Sequence, residues 1–291
     1  MDRADEELQG VADEVLVSEI KAGSRVALET LVSRYQPWIY NLALRMVYSP
    51  QDAADVTQEV LMRVVRGVAS FEGRSAVRTW IYRVVVNHVI NMKARPLEKM
   101  VTSFAKYGAT LDEVPELDLP DEGQAPTDVR VMVKEAKVAC MTGMLLCLDR
   151  RQRLVFVLGE LLGVSDVVGA EVLDVSRAGF RQALSRARRD LYQFMNDKCG
   201  LVKSENPCRC ARKTRGFIQL GLVDPARLVF AQEHLAAIRD KSPARADALD
   251  GLEAAYAALF REHPYLQPAE VPEVVRKVVE SEQVVSLFDL R

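Results

Sequence analysis

The stretch QDAADVTQEVLMRVVRGVASFEGRSAVRTWIYRVVVNHVINMKAR, residues 51–95, decides how the rest of the chain is read. Its two halves have opposite electrostatics. Asp52, Asp55 and Glu59 are spaced by three and four residues, which puts their carboxylates on one face of a helix. Val56, Val60, Leu61, Val64 and Val65 follow the helical period on the other face. From Arg74 onward the stretch carries Arg74, Arg78, Arg83, Lys93 and Arg95 and no acidic residue, with Phe71, Trp80 and Tyr82 inside or beside the basic run. An acidic face followed by a basic, aromatic one suits a chain that holds a basic protein on one side and nucleic acid on the other. The residues alone leave a second reading open, in which the carboxylates are a solvated face and Trp80 and Tyr82 are core.

Upstream, Asp13–Lys21 reads as a short helix stopped by Gly23. Arg25–Tyr48 reads as a longer helix whose face of Leu28, Leu31, Val32, Tyr35, Ile39, Leu42, Leu44 and Met46 is broad enough to be buried. Pro37 falls inside it, where a proline is expected to kink a helix or start a new segment. Ser49-Pro50 separates it from the acidic helix. Phe71–Ser75 is a loop, and a helix from Val77 to Ala94 ends before Pro96. Residues 1–96 are therefore expected to form an all-α unit, without strand-like alternation. Residues 97–129 differ in character: LDEVPELDLPDEGQAPTD holds three prolines and many acids, the composition of an extended, mobile linker.

Helical periodicity resumes at Asp128–Leu148. The stretch that follows predicts helices over Arg150–Leu162, Ser165–Leu173 and Ser176–Met195, with Gly163 at the first break and Ser165 and Ser176 as N-caps. A short turn at Asp174-Val175 before a basic helix is the helix-turn-helix pattern. Phe180, Ala183, Leu184, Ala187 and Leu191 give the basic helix a packing face. Residues at the start of a recognition helix reach base edges, whereas later cations meet phosphates. Arg177, Arg181 and Gln182 are the candidates for reading, Ser185, Arg186, Arg188 and Arg189 those for the backbone, and Ser176 a further DNA-contact candidate. Ala178-Gly179 is unusual here, because glycine costs up to ~1 kcal/mol in a helix interior.

These segments carry a resemblance to a known family. DAADVTQEVLMRVVR resembles the DAEDLVQETFLRAWR-type helix of bacterial RNA polymerase sigma factors, and RTWIYRVVVNHVINMKAR resembles the segment after it, best in the extracytoplasmic-function (ECF) group. LSRARRDL, residues 184–191, is similar to the ending of the family's second DNA-binding domain. The resemblance implies two small helical domains, residues 1–96 (region 2) and 130–197 (region 4), and a factor that leads core polymerase to promoters and opens the −10 element. It implies that Asp52, Asp55, Gln58 and Glu59 face the β′ clamp helices, and that the second domain faces the β flap. It further implies that Arg74, Arg78, Thr79, Trp80, Arg83, Asn87 and Arg95 face −10 DNA, with the −35 element read by the helix-turn-helix. In the family the linker runs near the RNA exit path, so its acidity either mimics nucleic acid or merely solvates a tether. Val167-Val168-Gly169-Ala170 departs from the family's more polar Glu-Ile-Ala core. Two competing classes are a one-component regulator that uses the helix-turn-helix alone and an anti-sigma-like protein that sequesters a partner.

With 291 residues and 49% hydrophobic content the chain suits two or three small domains. Its net charge of −2 says less than the segregation of basic segments from acidic ones. No apolar run reaches the roughly 18 residues of a membrane span, and the acidic start MDRADEELQG is unlike a signal peptide. A cytoplasmic protein is expected, with its five cysteines reduced, metal-bound or redox-active. Residues 198–291 lie beyond the resemblance and read as a helical regulatory extension: Pro225–Lys241, Arg245–His263 and Ala269–Ser281, with Val275, Val278 and Val279 as a stripe. Its thiols Cys199, Cys208 and Cys210 are candidates for a zinc or redox site, with His234 or His263 as a fourth ligand, or for purely structural roles. Arg209, Arg212, Lys213 and Arg215 are expected to lower the thiol pKa values. No cofactor is required, no catalytic constellation stands out, and the partners expected are core polymerase, promoter DNA and either an anti-sigma factor or the chain's own extension.

Overall fold

The computed structural model of the chain describes residues 11–47, 49–94, 98–99, 103–116, 127–219, 223–226, 278–281 and 284. Helices α1 (Asp13–Lys21), α2 (Arg25–Val47), α3 (Pro50–Val68) and α4 (Val77–Asn91) come first. α5 (Phe104–Glu113), α6 (Thr127–Leu146), α7 (Arg150–Phe156, continued by a π-helical turn over Val157–Leu161), α8 (Asp166–Leu173), α9 (Arg177–Lys198) and α10 (Cys210–Gln219) follow. Among the described residues extended pairing is confined to one bridge between Cys199 and Cys208, and no helix is long and apolar enough to cross a membrane. The all-α class expected from periodicity holds.

The chain divides into two units. The first gathers the residues up to Lys93 with Ser165–Arg177 and the described tail residues; the second gathers Ala94–Val164 and the described chain from Ala178 on. In the first unit the stripe of α3 packs as its spacing predicts: Val56, Val60, Leu61, Val64 and Val65 are all buried. The start of α3 is set by Ser49, whose hydroxyl accepts the Asp52 N–H at 3.2 Å, and by Pro50 at the first helical position. Pro37 starts no new segment, because α2 runs unbroken from Arg25 to Val47. α1 is tied to α2 through Asp13, which accepts hydrogen bonds from Arg34 and Tyr35, and to the loop after α3 by Lys21, which donates to the Phe71 carbonyl at 2.5 Å. The tail contributes Val278, Val279 and Val284, all fully buried, and an ion pair of Glu280 with Arg25 at 3.3 Å.

In the second unit the structure corrects the expected tether. Within residues 97–129, α5 is a capped helix: Ser103 accepts the Lys106 N–H at 3.3 Å. Leu111 and Val114 join Ala136, Phe217 and Val223 in a buried cluster, with Tyr107 and Phe194 against it. Glu98 forms ion pairs with Arg150 and Arg153, each at 2.7 Å. Proline and acid content misled because the three prolines follow α5 in sequence rather than interrupt it, and the acids on it, Asp112 and Glu113, are exposed on a helix with a buried seam. α10 lies in the cysteine-rich segment, where no helix was expected. The predicted tail helices fall outside the described residues, apart from 225–226 and 278–281.

Candidate protein and nucleic-acid interfaces

On α3, Asp55, Gln58 and Glu59 are exposed and Asp52 is half-buried. The spacing that placed them on one face is realised because the opposite stripe is core. Glu59 lies 3.6 Å from the Nε2 of His88, a largely buried side chain on α4 that the sequence reading did not single out.

α4 starts without a cap from its own N-cap residue; the Val77 N–H instead donates to the Glu14 carboxylate of α1 at 3.5 Å, which places an anion at the positive end of the helix. Arg78, in that first turn, and Asn87, well beyond it, are exposed. Arg78 is hydrogen-bonded to Tyr35, which raises its pKa above the ordinary arginine value; Tyr35 itself is raised, first by burial and then by Asp13. Arg83 pairs with Glu171 of α8 at 3.2 Å, both side chains near half exposure. Arg74 is exposed in the loop and pairs with Glu72 at 3.0 Å.

One predicted contact is corrected: Thr79 is 6% exposed and faces the core rather than solvent. It stands seven residues, two turns, before buried Val86, so the helical period turns it inward. Arg95 lies outside the described residues. The aromatic residues form two half-buried pairs. Trp80 meets Phe71 at 5.2 Å and Tyr82 stacks on Trp38 at 3.9 Å with planes 8° apart. Trp38, on α2, was missed, since nothing local links it to a residue 44 positions later. Gly67 is what lets Trp80 close on α3: a Cβ there would stand 2.7 Å from the indole.

Between α8 and α9 the turn is made by Asp174 in the left-handed region (φ 52°), with the Val175 N–H donating to Ala170 O at 3.0 Å. Ser176, Arg177, Arg181, Gln182, Ser185, Arg186 and Arg189 are exposed. Arg177 pairs with Asp166 at 3.2 Å and Arg189 with Asp190 at 3.1 Å. Arg188 departs from its expected role. It donates to Glu160, whose side chain is only 8% exposed, so its guanidinium braces the fold rather than standing ready for a phosphate.

Cys199 follows α9, Cys208 bridges it, and Cys210 opens α10. None of the five cysteines is in a disulfide. Among the described residues no three His, Cys, Asp or Glu side chains already converge on one point as metal ligands, and His234 and His263 lie outside them. The expected lowering of thiol pKa is not found at Cys208, which burial raises. Arg209 is spent on the carbonyls of Ser204, Asn206 and Cys208, and Lys213 on that of Val114 at 2.7 Å.

With this geometry in place, comparison with known proteins is specific. Residues 31–95 match the family described as Sigma-70 region 2. Over 95 residues the chain is 36% identical to the RNA polymerase sigma-H factor of Pseudomonas aeruginosa, covering 31% of this chain and 49% of that protein. Over 183 residues it is 28% identical to the ECF RNA polymerase sigma-E factor of Haemophilus influenzae, covering 61% of this chain and 92% of that one. The Escherichia coli sigma-E factor is 29% identical over the same length, with 61% and 91% covered. The chain thus spans about half of the sigma-H factor and nearly all of the sigma-E factors.

Proposed function

We propose that this chain, which belongs to the RNA polymerase sigma factors of the extracytoplasmic-function type, initiates transcription by holding core polymerase with α3 and promoter DNA with α4 and α9. The observation that carries this is the division of one small unit into an acidic exposed face on α3 and a basic, aromatic one on α4 and its preceding loop. Asp55, Gln58 and Glu59, with Asp52 beside them, meet the β′ clamp helices. Arg74, Arg78, Arg83 and Asn87 hold the −10 strand while the Trp80–Phe71 pair offers a face on which an unstacked base gains ~1–3 kcal/mol. Arg177, Arg181 and Gln182 read the −35 element, Ser185, Arg186 and Arg189 grip its backbone, and this second DNA-binding element also meets the β flap. The polymerase performs the chemistry; the factor positions and opens DNA, in the cytoplasm where polymerase works. Residues beyond α9 act on the factor from within the chain, in place of or beside an anti-sigma protein.

The test is promoter-directed transcription with purified core polymerase. Wild type gives specific initiation, and the Asp55→Lys, Glu59→Lys double variant loses core affinity at unchanged helical content. Unchanged affinity would remove the polymerase surface from α3. Permanganate reactivity separates the DNA roles: Arg78→Ala and Asn87→Ala impair opening more than duplex binding, and equal losses in both steps contradict the assignment to α4.

A further inference from the structure

The thiols of the extension have a companion that no sequence spacing announced. Cys140, on α6, lines the same cavity of about 20 Å³ as Cys199, Cys208 and Cys210, a space suited to one water-sized body. The four come from three places: the middle of α6, the end of α9, and the loop that enters α10.

The segment between them is built to bring these groups together. The Gly200 N–H donates to Cys208 O at 3.1 Å, closing the bridge between Cys199 and Cys208. A Cβ on Gly200 would lie 2.3 Å from that carbonyl, so only glycine permits the approach. Asn206, nearly buried, donates to the carbonyls of Asn196 at 2.7 Å and Cys199 at 3.1 Å and folds the loop back on the end of α9. On the opposite side Tyr107 donates to the Cys140 carbonyl at 2.9 Å, an approach opened by Gly143, where a Cβ would meet the phenol at 2.5 Å. Lys137 and Lys198 also line the cavity.

We propose that Cys140, Cys199, Cys208 and Cys210 are the four ligands of a soft divalent metal site, of which zinc is the defining occupant. Four thiolates in a closed tetrahedral shell are the chemistry of structural zinc, at Zn–S distances of about 2.3 Å. Binding replaces protons: one Zn²⁺ and four thiols give one tetrathiolate dianion and four protons released to the medium. Lys137 lines the cavity and would offset part of that dianion, whereas Lys198, also lining it, is paired with Asp112 at 2.5 Å. The sulfurs do not yet converge on one point; rotation about χ1 among its staggered wells re-aims each of them. The site would tie α6, the end of α9 and α10 into one body, making the order of the extension depend on metal.

The experiment uses the full chain. Reduced, chelator-treated protein is titrated with Co²⁺ and then Zn²⁺ and read by absorption, with bound zinc counted by elemental analysis. The expected result is one ion per chain, tetrahedral thiolate–cobalt bands that zinc displaces, and four protons released. Cys140→Ser lowers affinity at least tenfold, as do Cys199→Ser, Cys208→Ser and Cys210→Ser, whereas Cys147→Ser keeps full binding. Because a variant could fail to fold, unaltered protein is also alkylated with and without Zn²⁺ and mapped by mass spectrometry. Zinc should protect all four thiols at least tenfold and leave Cys147 unchanged. Absence of thiolate–cobalt bands, or zinc that leaves the alkylation of Cys140 unchanged, overturns the proposal.

Discussion

The ion-pair triad at Glu98 is the sharpest test of the fold, because it anchors a segment whose composition reads as a tether. Glu98 and Arg153 side chains are 6% and 3% exposed, and Arg150 is 19% exposed. Glu98 accepts from Arg150 at 3.2 and 2.7 Å and from Arg153 at 2.7 Å. Burial lowers the Arg153 pKa and Glu98 opposes that lowering. Removing one partner from a buried pair leaves the other charge uncompensated, which costs about 3–5 kcal/mol. Glu98→Gln retains one acceptor and should sit near the lower figure. Every 1.4 kcal/mol is tenfold in an equilibrium constant, so amides of α7 that exchange through global opening should speed up about 10²-fold. Hydrogen-exchange mass spectrometry on peptides covering Arg150–Leu161 reads this directly. Both tryptophans, Trp38 and Trp80, are in the other unit, so their fluorescence provides a separate signal for that unit's integrity. If Glu98→Gln left α7 exchange unchanged, the segment from residue 97 would be the tether its composition suggests, and the triad would carry no stability.

Three other outcomes follow from the geometry. Arg188→Ala should cost the second unit about 1.5–3 kcal/mol, the range for a hydrogen bond to a charged group, and leave the salt dependence of DNA binding unchanged, whereas Arg186→Ala should reduce the slope of log K against log[salt] by about one; the reverse pattern in salt-titrated anisotropy would return Arg188 to the phosphates. Gly67→Ala pushes a methyl against Trp80 and should cost about 1–3 kcal/mol by overpacking, with a red-shifted tryptophan emission as the indole is displaced; unchanged emission and melting would mean that Trp80 is not held there. Cys147, raised by burial to about 12 from 9.0, contributes stability in full below pH 9 that is lost as pH rises towards 12, since only the unfolded thiol ionises in that window; Cys147→Ala should flatten the decline of urea midpoints between pH 9 and 10.5, and a parallel decline would refute the shift.

What was legible in the sequence was what local period controls. The valine stripe of α3, its start at Ser49-Pro50, and the short turn at Asp174-Val175 before α9 are all decided within a few residues, and each lies where the sequence put it. Thr79 was misplaced by being grouped with its neighbours Arg78 and Trp80, although its spacing to Val86 already pointed inward. Arg188 shows the same thing: it stands four residues after Leu184 and three before Leu191, on the packing side of α9. Its partner was beyond reach, since Glu160 sits in a π-helical turn where the extra residue breaks the 3.6 period. Cys140 and Trp38 were illegible for a different reason. Each acts through a partner tens of residues away, and neither position carries a local mark.

Burial, rather than the presence of an ion pair, sorts the basic residues of the two helices proposed to face DNA. Arg83, Arg177 and Arg189 all have acidic partners within 3.2 Å, yet their own side chains are 43%, 59% and 66% exposed. Exposed pairs are worth about 0–1 kcal/mol and are screened by salt. A DNA phosphate with its released counterions competes with such a pair on equal or better terms, so these arginines remain available to DNA. Glu160 at 8% exposure is a different case, because a phosphate taking Arg188 away would strand a buried carboxylate. Asp166 and Glu171 also gain a role by this reasoning. If the proposed DNA contacts hold, these weak partners keep Arg177 and Arg83 in place at little cost while DNA is absent, and they yield when it arrives.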